Sequence, residues 1–125
     1  MEYPLSEIID RYTIALLKKE RIIDANNERE LLELVIEINI FLDKNKDTTE
    51  TLLNYQNSLY HINGEIWDLE SDIRKGKENI LGLEEVGRRA IMIRGLNKKR
   101  VGIKNEIVTL TGTGFIDVKM NHASE

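Results

Sequence analysis

Residues 62–74, "INGEIWDLESDIR", decide how this chain folds. Apolar side chains recur here at intervals of three and four residues, the spacing of one face of an α-helix. The apolar stripe, extended one turn back, consists of Leu59, Ile62, Ile66, Leu69 and Ile73. Asn63, Glu70 and Arg74 border this stripe, whereas Glu65 and Asp68 point the opposite way. The stretch therefore predicts a helix that buries three polar side chains together with its apolar face.

Two long helices form the predicted centre of the fold. Helix 3 has no breaker between a cap at Asp47 or Thr48 and Gly76, and helix 4 runs from about Leu83 to Leu110. The connection between them, "KGKENILG", is short. Consecutive helices with a short connection pack antiparallel, so this pattern predicts a long helical hairpin.

Two shorter helices precede the hairpin in the sequence. The first is predicted from Leu5 to Asp24, and the second starts after Asn27 as its N-cap and ends near Leu42. Residues 111–125 lose helical character and are predicted to form an extended or disordered tail. The expected fold is an all-α helical bundle in which the shorter helices pack on the hairpin, and residues 1–125 form a single domain.

The composition narrows the classes of protein to consider. The 125 residues carry a formal net charge of −4, with 32% charged residues, one proline and no cysteine. Disulfides and cysteine nucleophiles are thereby excluded, and the negative charge argues against nucleic-acid binding. No apolar run approaches the about 20 residues of a membrane span, and the start of the chain does not resemble a signal peptide. We therefore expect a cytoplasmic protein that does not enter a membrane.

Helix 4 places polar groups in the same sector as its apolar face: Arg89, Asn97, Arg100 and Lys104. An unpaired buried charge costs several kcal/mol, so these cations need acidic partners.

The predicted partner of these cations is Glu70. Together with Asn63 it is expected to contact Arg100 or Lys104 across the hairpin, joined by Glu20 from the first helix. Two interpretations stay open. The polar groups form either a network that fixes the register of the helices or the lining of a pocket for a small anion.

Four outward acids suggest a metal site. Glu30 and Glu33 on helix 2, with Glu65 and Asp68 on helix 3, form two acidic pairs with a three-residue spacing. Hard cations such as Mg²⁺ prefer clustered carboxylate oxygens. The pattern resembles the metal motif of all-α nucleotide pyrophosphohydrolases of the MazG and dUTPase type. The alternative reading is a solvated helix face.

Small residues on the back of helix 4 suggest an interface between subunits. Gly87, Gly95 and Gly102 recur at heptad-like spacing, which allows another helix to approach closely. We therefore expect a homodimer.

Three segments together resemble an uncharacterised family of short bacterial and phage proteins, kept as a domain of unknown function. They are "EIIDRYTIALLKKERI" (residues 7–22), "INGEIWDLESDIR" and "NKKRVGIKNEI" (residues 97–107). The matching positions are Glu7, Asp10, Thr13, Lys18, Glu20, Arg21, Asn63, Trp67, Asp68, Glu70, Asp72, Arg74, Asn97, Arg100 and Lys104. Ser71 departs from the pattern, which carries an acid there. The resemblance implies a helical fold, no established activity and a link to surface-glycan assembly.

These observations favour a non-catalytic protein. We expect a helical assembly module, or a module that binds a small anion or a nucleotide-sugar, in surface-glycan metabolism. Its expected ligand is a phosphate-bearing small molecule, and no cofactor is expected. The alternative is an Mg²⁺-dependent nucleotide pyrophosphohydrolase that uses the four outward acids as metal ligands and Arg100 or Lys104 on the phosphates.

Overall fold

The computed structural model describes residues 3–74 and 78–112, except the side chains of Asp72, Arg74, Glu78 and Asn79. The described part is all-α and contains no strand, as predicted. Its helices are α1 (Leu5–Arg21), α2 (Glu28–Lys44), α3 (Thr49–Arg74) and α4 (Glu78–Thr111), with a short 3₁₀ turn at Lys46–Thr48. The predicted tail lies outside the described residues beyond Gly112.

The two long helices form the predicted antiparallel hairpin. α3 has 26 residues and α4 has 34, against 17 each for α1 and α2. Tyr55, early in α3, lies across from Asn105 and Thr109, whereas Ile62 lies across from Gly102. Later residues of α3 thus face earlier residues of α4, which is the antiparallel arrangement.

The core is centred on α1, which packs against each of the other three helices. Apolar residues from all four helices form one buried cluster, in which Ile9, Leu59 and Ile107 are fully enclosed. The cluster consists of Leu5, Ile8, Ile9, Ala15, Leu34, Ile38, Leu52, Leu59 and Ile107. α1 is therefore the central helix of the bundle, rather than a helix packed on the outside of the hairpin.

The first helix ends earlier than predicted, whereas α2 begins directly after Asn27 as predicted but without the predicted cap. α1 ends at Arg21 rather than Asp24 because Ile22 adopts an extended backbone conformation. Asn27 is the residue before α2, but its side chain makes no cap hydrogen bond. Instead its Nδ2 donates to the carbonyl of Ala15 at 2.9 Å, which ties the start of α2 to α1.

Gly82 marks the place where the regular part of α4 begins. Its φ of 81° and ψ of 155° are non-helical and bend α4 four residues after its start at Glu78. A positive φ of this size is readily adopted only by glycine. The uninterrupted helix after Gly82 begins at Leu83, the predicted start. In the described part of the chain, no helix combines the length and apolarity that a membrane crossing requires.

Candidate functional site

A buried carboxylate, Asp10 of α1, lies at the centre of the polar site. The residue is 1% exposed. Arg100 of α4 donates to both of its oxygens, from Nε to Oδ1 at 3.0 Å and from Nη2 to Oδ2 at 2.5 Å. Two parallel, charge-assisted hydrogen bonds from a planar guanidinium are stronger than neutral hydrogen bonds and fix the relative orientation of the two groups. The pair therefore fixes α4 against α1.

Asn63 connects α3 to the same carboxylate. Its Nδ2 donates to Asp10 Oδ1 and to Thr13 Oγ1, both at 2.9 Å. Thr13 Oγ1 in turn donates to the backbone carbonyl of Asp10 at 2.7 Å. Asn63 and Thr13 are both buried. Three helices thus meet in one chain of hydrogen bonds.

A second cation of α4 completes the site. The Lys104 Nζ contacts a carboxylate oxygen of Glu7 and lies 4.0 Å from Asp10 Oδ2. The Lys104 side chain is 13% exposed. Arg100 and Lys104 therefore each have a carboxylate partner on α1. We refer to Glu7, Asp10, Thr13, Asn63, Arg100 and Lys104 as the polar network.

The surroundings of Asp10 favour its charged form. Burial by itself raises the pKa of this carboxyl, but the hydrogen bonds and charge of Arg100, with Asn63 and Lys104, outweigh burial and hold the pKa below its ordinary value of 3.8. The hydrogen bonds that Arg100 donates to Asp10 correspondingly raise the pKa of Arg100. Asp10 is therefore an ionised structural acceptor at neutral pH.

The sequence-based choice of Glu70 as the partner of Arg100 was wrong. Arg100 hydrogen-bonds Asp10, while Glu70 is half-buried and contributes only its charge to the surroundings of Arg100. Glu20 is also not part of the network, because it is exposed and accepts a hydrogen bond from Tyr60 Oη at 2.5 Å. Asp10 takes the central place because α1 packs against both helices of the hairpin, α3 and α4, as well as against α2.

The remaining predicted residues have different outcomes. Asn63, Arg100 and Lys104 lie together, as expected. Asn97 is half-buried on α4, and none of the network hydrogen bonds among the described residues involves it. The side chain of Arg74 lies outside the described residues.

The four predicted metal ligands are exposed and do not form one group. Asp68 pairs with Arg21, and Glu33 lies 4.0 Å from Arg29. Among the described residues, no three His, Cys, Asp or Glu side chains are close enough together to hold a metal ion. In the described part of the chain these four acids therefore do not share one cluster, and the pyrophosphohydrolase reading stays a prediction.

A pocket of about 390 Å³ opens between α1 and α3 beside the polar network. Its lining combines aromatic rings, amides and aliphatic groups and is uncharged. The lining residues are Tyr12, Thr13, Leu16, Leu53, Gln56, Asn57 and Tyr60. Thr13 is shared between this pocket and the polar network.

The sequence reading of the site missed Glu7, Asp10 and Thr13. A signal for them was present, because their three-residue spacing places them on one side of α1 and all three match the family pattern. In comparisons with known proteins, no family model, curated protein or solved structure matches this chain significantly. The resemblance to the uncharacterised family accordingly remains a prediction.

Proposed function

We propose that this chain is a non-catalytic helical assembly module of the cytoplasm. The observation that carries the proposal is the charge balance of the polar network. Arg100 pairs with Asp10, and Lys104 pairs with Glu7. An anion that bound these cations would have to displace a carboxylate already held by hydrogen bonds. The network is therefore suited to fixing how the helices align, a recognised use of buried polar groups.

The polar network is also specific to one alignment of three helices. Sliding α1 by one turn, about 5.4 Å, moves Asp10 out of reach of both Asn63 and Arg100. The buried Asn63 amide would then lose an acceptor, at a cost of about 1–3 kcal/mol, and the partly exposed Arg100 would lose its ion pair. When α1, α3 and α4 have one fixed alignment, the exposed side chains keep the same relative positions. An assembly module requires such a surface because its partner must recognise it.

Incubation with nucleotides distinguishes this proposal from the enzymatic alternative. With Mg²⁺ and a panel of nucleoside triphosphates, we expect no release of pyrophosphate. The measurement is a phosphate assay coupled to inorganic pyrophosphatase, with Glu65→Gln as the matched variant. Release that disappears in Glu65→Gln would overturn the assembly proposal in favour of the pyrophosphohydrolase.

The pocket between α1 and α3 favours a second candidate function, the binding of a small polar molecule. The rings of Tyr12 and Tyr60 offer flat apolar surfaces, and Gln56 and Asn57 offer amide donors and acceptors. This combination suits a hydroxyl-rich molecule with an apolar face, such as the sugar part of a nucleotide-sugar. The link to surface-glycan metabolism that the family resemblance implies is compatible with such a ligand.

A thermal-shift screen tests the pocket. If a sugar binds there, nucleotide-sugars or phosphorylated sugars raise the melting temperature of the wild type, and Gln56→Ala abolishes that increase because it removes a hydrogen-bonding group from the lining. Lys98→Ala, an exposed change on α4 that does not line the pocket, serves as the control. An increase that persists in Gln56→Ala would contradict binding at this place.

A further inference from the structure

The outer face of α2 carries a row of exposed apolar side chains. Leu32, Ile36 and Ile40 follow one another at four-residue intervals and are 60%, 47% and 45% exposed. The opposite side of α2 contributes Leu34 and Ile38 to the core. Single exposed apolar residues are ordinary, but an aligned row on one helix face is typical of an interaction surface. We call these three residues the α2 stripe.

Opposite charges lie at the two ends of the α2 stripe. Arg29 precedes Ile36 by seven residues and Asp43 follows it by seven residues. Seven residues are about two helical turns, so both charges lie on the same face as the stripe. Both residues are exposed, and Arg29 Nε lies 4.0 Å from Glu33 Oε1 at a solvent-exposed position.

We propose that the α2 stripe binds the α2 stripe of a second copy of this chain, with the two helices antiparallel about Ile36. In this arrangement Ile36 packs on its own symmetry mate, Leu32 lies opposite Ile40, and Arg29 lies opposite Asp43 at both ends. A parallel pair would place Arg29 against Arg29 and Asp43 against Asp43, which is repulsive. A two-fold pairing of one surface with itself is the commonest form of protein dimer.

Charge also favours α2 over the glycine-rich back of α4 as the dimer surface. The three glycines there have open space around the position of an added Cβ. The same side of α4, however, also exposes the basic residues Arg94, Lys98 and Lys99. A second copy on that face brings like charges together, whereas the α2 stripe carries complementary charges. This inference rests on the proposed assembly function and identifies its surface.

The size of the surface sets the expected affinity. α2 has 17 residues, so two paired helices share a contact about 25 Å long. Such a contact falls at the small end of specific interfaces. We therefore expect a dimer that dissociates in the micromolar range.

Sedimentation equilibrium of the full chain tests the proposal, in a concentration series that extends to about 100 µM because of the expected affinity. The wild type should be a dimer at the upper end of the series. Ile36→Asp should weaken association by at least about 100-fold, because it places two carboxylates in the centre of the interface. Ile91→Asp, which changes a 65% exposed residue of α4, should leave the dimer intact.

Charge exchange tests the antiparallel arrangement. Arg29→Asp alone and Asp43→Arg alone should each weaken the dimer, because each creates like-charge contacts at both ends. The double variant Arg29→Asp/Asp43→Arg should restore it. These exposed substitutions should leave the helical circular dichroism unchanged, so that loss of the dimer is not confused with unfolding.

Three results would overturn the proposal: a wild type that stays monomeric throughout the series, an Ile36→Asp variant that remains a dimer, or a double charge variant without recovery. A dimer that is insensitive to Ile36→Asp but sensitive to Ile91→Asp overturns the α2 surface and leaves the assembly function intact. Nucleotide turnover overturns that function independently of the dimer result.

Discussion

Asp10→Ala is expected to lower the free energy of unfolding by about 3 kcal/mol, toward the lower end of the range for breaking a buried ion pair. The substitution removes the acceptor for Arg100 and Asn63 and leaves the guanidinium without its partner in the bundle. The Arg100 side chain is 30% exposed, so water compensates part of the loss. For a domain of this size, such a change is a large share of the total stability. Urea unfolding followed by circular dichroism measures it.

A double mutant identifies the cause of that loss. Asp10→Ala combined with Arg100→Met should cost less than the sum of the two single substitutions, because the second change removes the unpaired charge. Asp68→Ala is the control, since it breaks only the exposed pair with Arg21, and it should change stability by less than about 1 kcal/mol. Additive effects of Asp10→Ala and Arg100→Met would contradict a direct coupling between these residues.

The pH dependence of the free energy of unfolding gives a second measure of how much ionised Asp10 stabilises the fold. Its pKa is lowered in the folded protein relative to the ordinary value of 3.8. The stability that this carboxylate contributes is therefore fully present above the unfolded pKa and is lost as the pH falls through the folded pKa. Asp10→Asn should flatten this acid limb of the stability curve. A curve that keeps its slope in the variant would show that another group titrates there.

Asn63→Asp is expected to have a similarly large effect, about 3 kcal/mol or more at neutral pH. The change keeps the shape of the side chain but replaces a donor by a second carboxylate next to Asp10 Oδ1, where Nδ2 of Asn63 now lies at 2.9 Å. Two like charges at this distance disfavour joint ionisation, and Thr13 Oγ1 also loses its donor. The variant therefore combines charge repulsion with two lost hydrogen bonds.

Lowering the pH should partly rescue the Asn63→Asp variant, in contrast to the wild type. Two carboxyl groups at hydrogen-bond distance share a proton, which raises one of their apparent pKa values. The raised pKa means that stability increases as the pH falls through that value. Denaturant unfolding between about pH 4 and 7, a window set by ordinary carboxyl pKa values, measures the difference. Parallel stability curves for wild type and variant would contradict direct contact between Asn63 and Asp10.

The sequence by itself determined the secondary structure and the pairing of the long helices. Regular apolar spacing fixed the buried sides of α3 and α4, since side-chain direction repeats with the helical period. The predicted start of helix 4 near Leu83 agrees with the start of its regular part, which follows the non-helical Gly82. The inward direction of Asn63, Arg100 and Lys104 also followed, because each lies within the apolar sector of its own helix. These features depend on residues that are close together in the chain.

Only the tertiary structure decided which carboxylate pairs with Arg100. A helical wheel gives the direction of a side chain but not its height against the neighbouring helix. Glu70 and Asp10 were therefore both compatible with an inward basic column. The packing of α1 against α2, α3 and α4 brought Asp10 to the level of Asn63 and Arg100, residues 53 and 90 positions away in the chain. It also left Leu32, Ile36 and Ile40 of α2 exposed, because the opposite side of that helix, with Leu34 and Ile38, packs in the core.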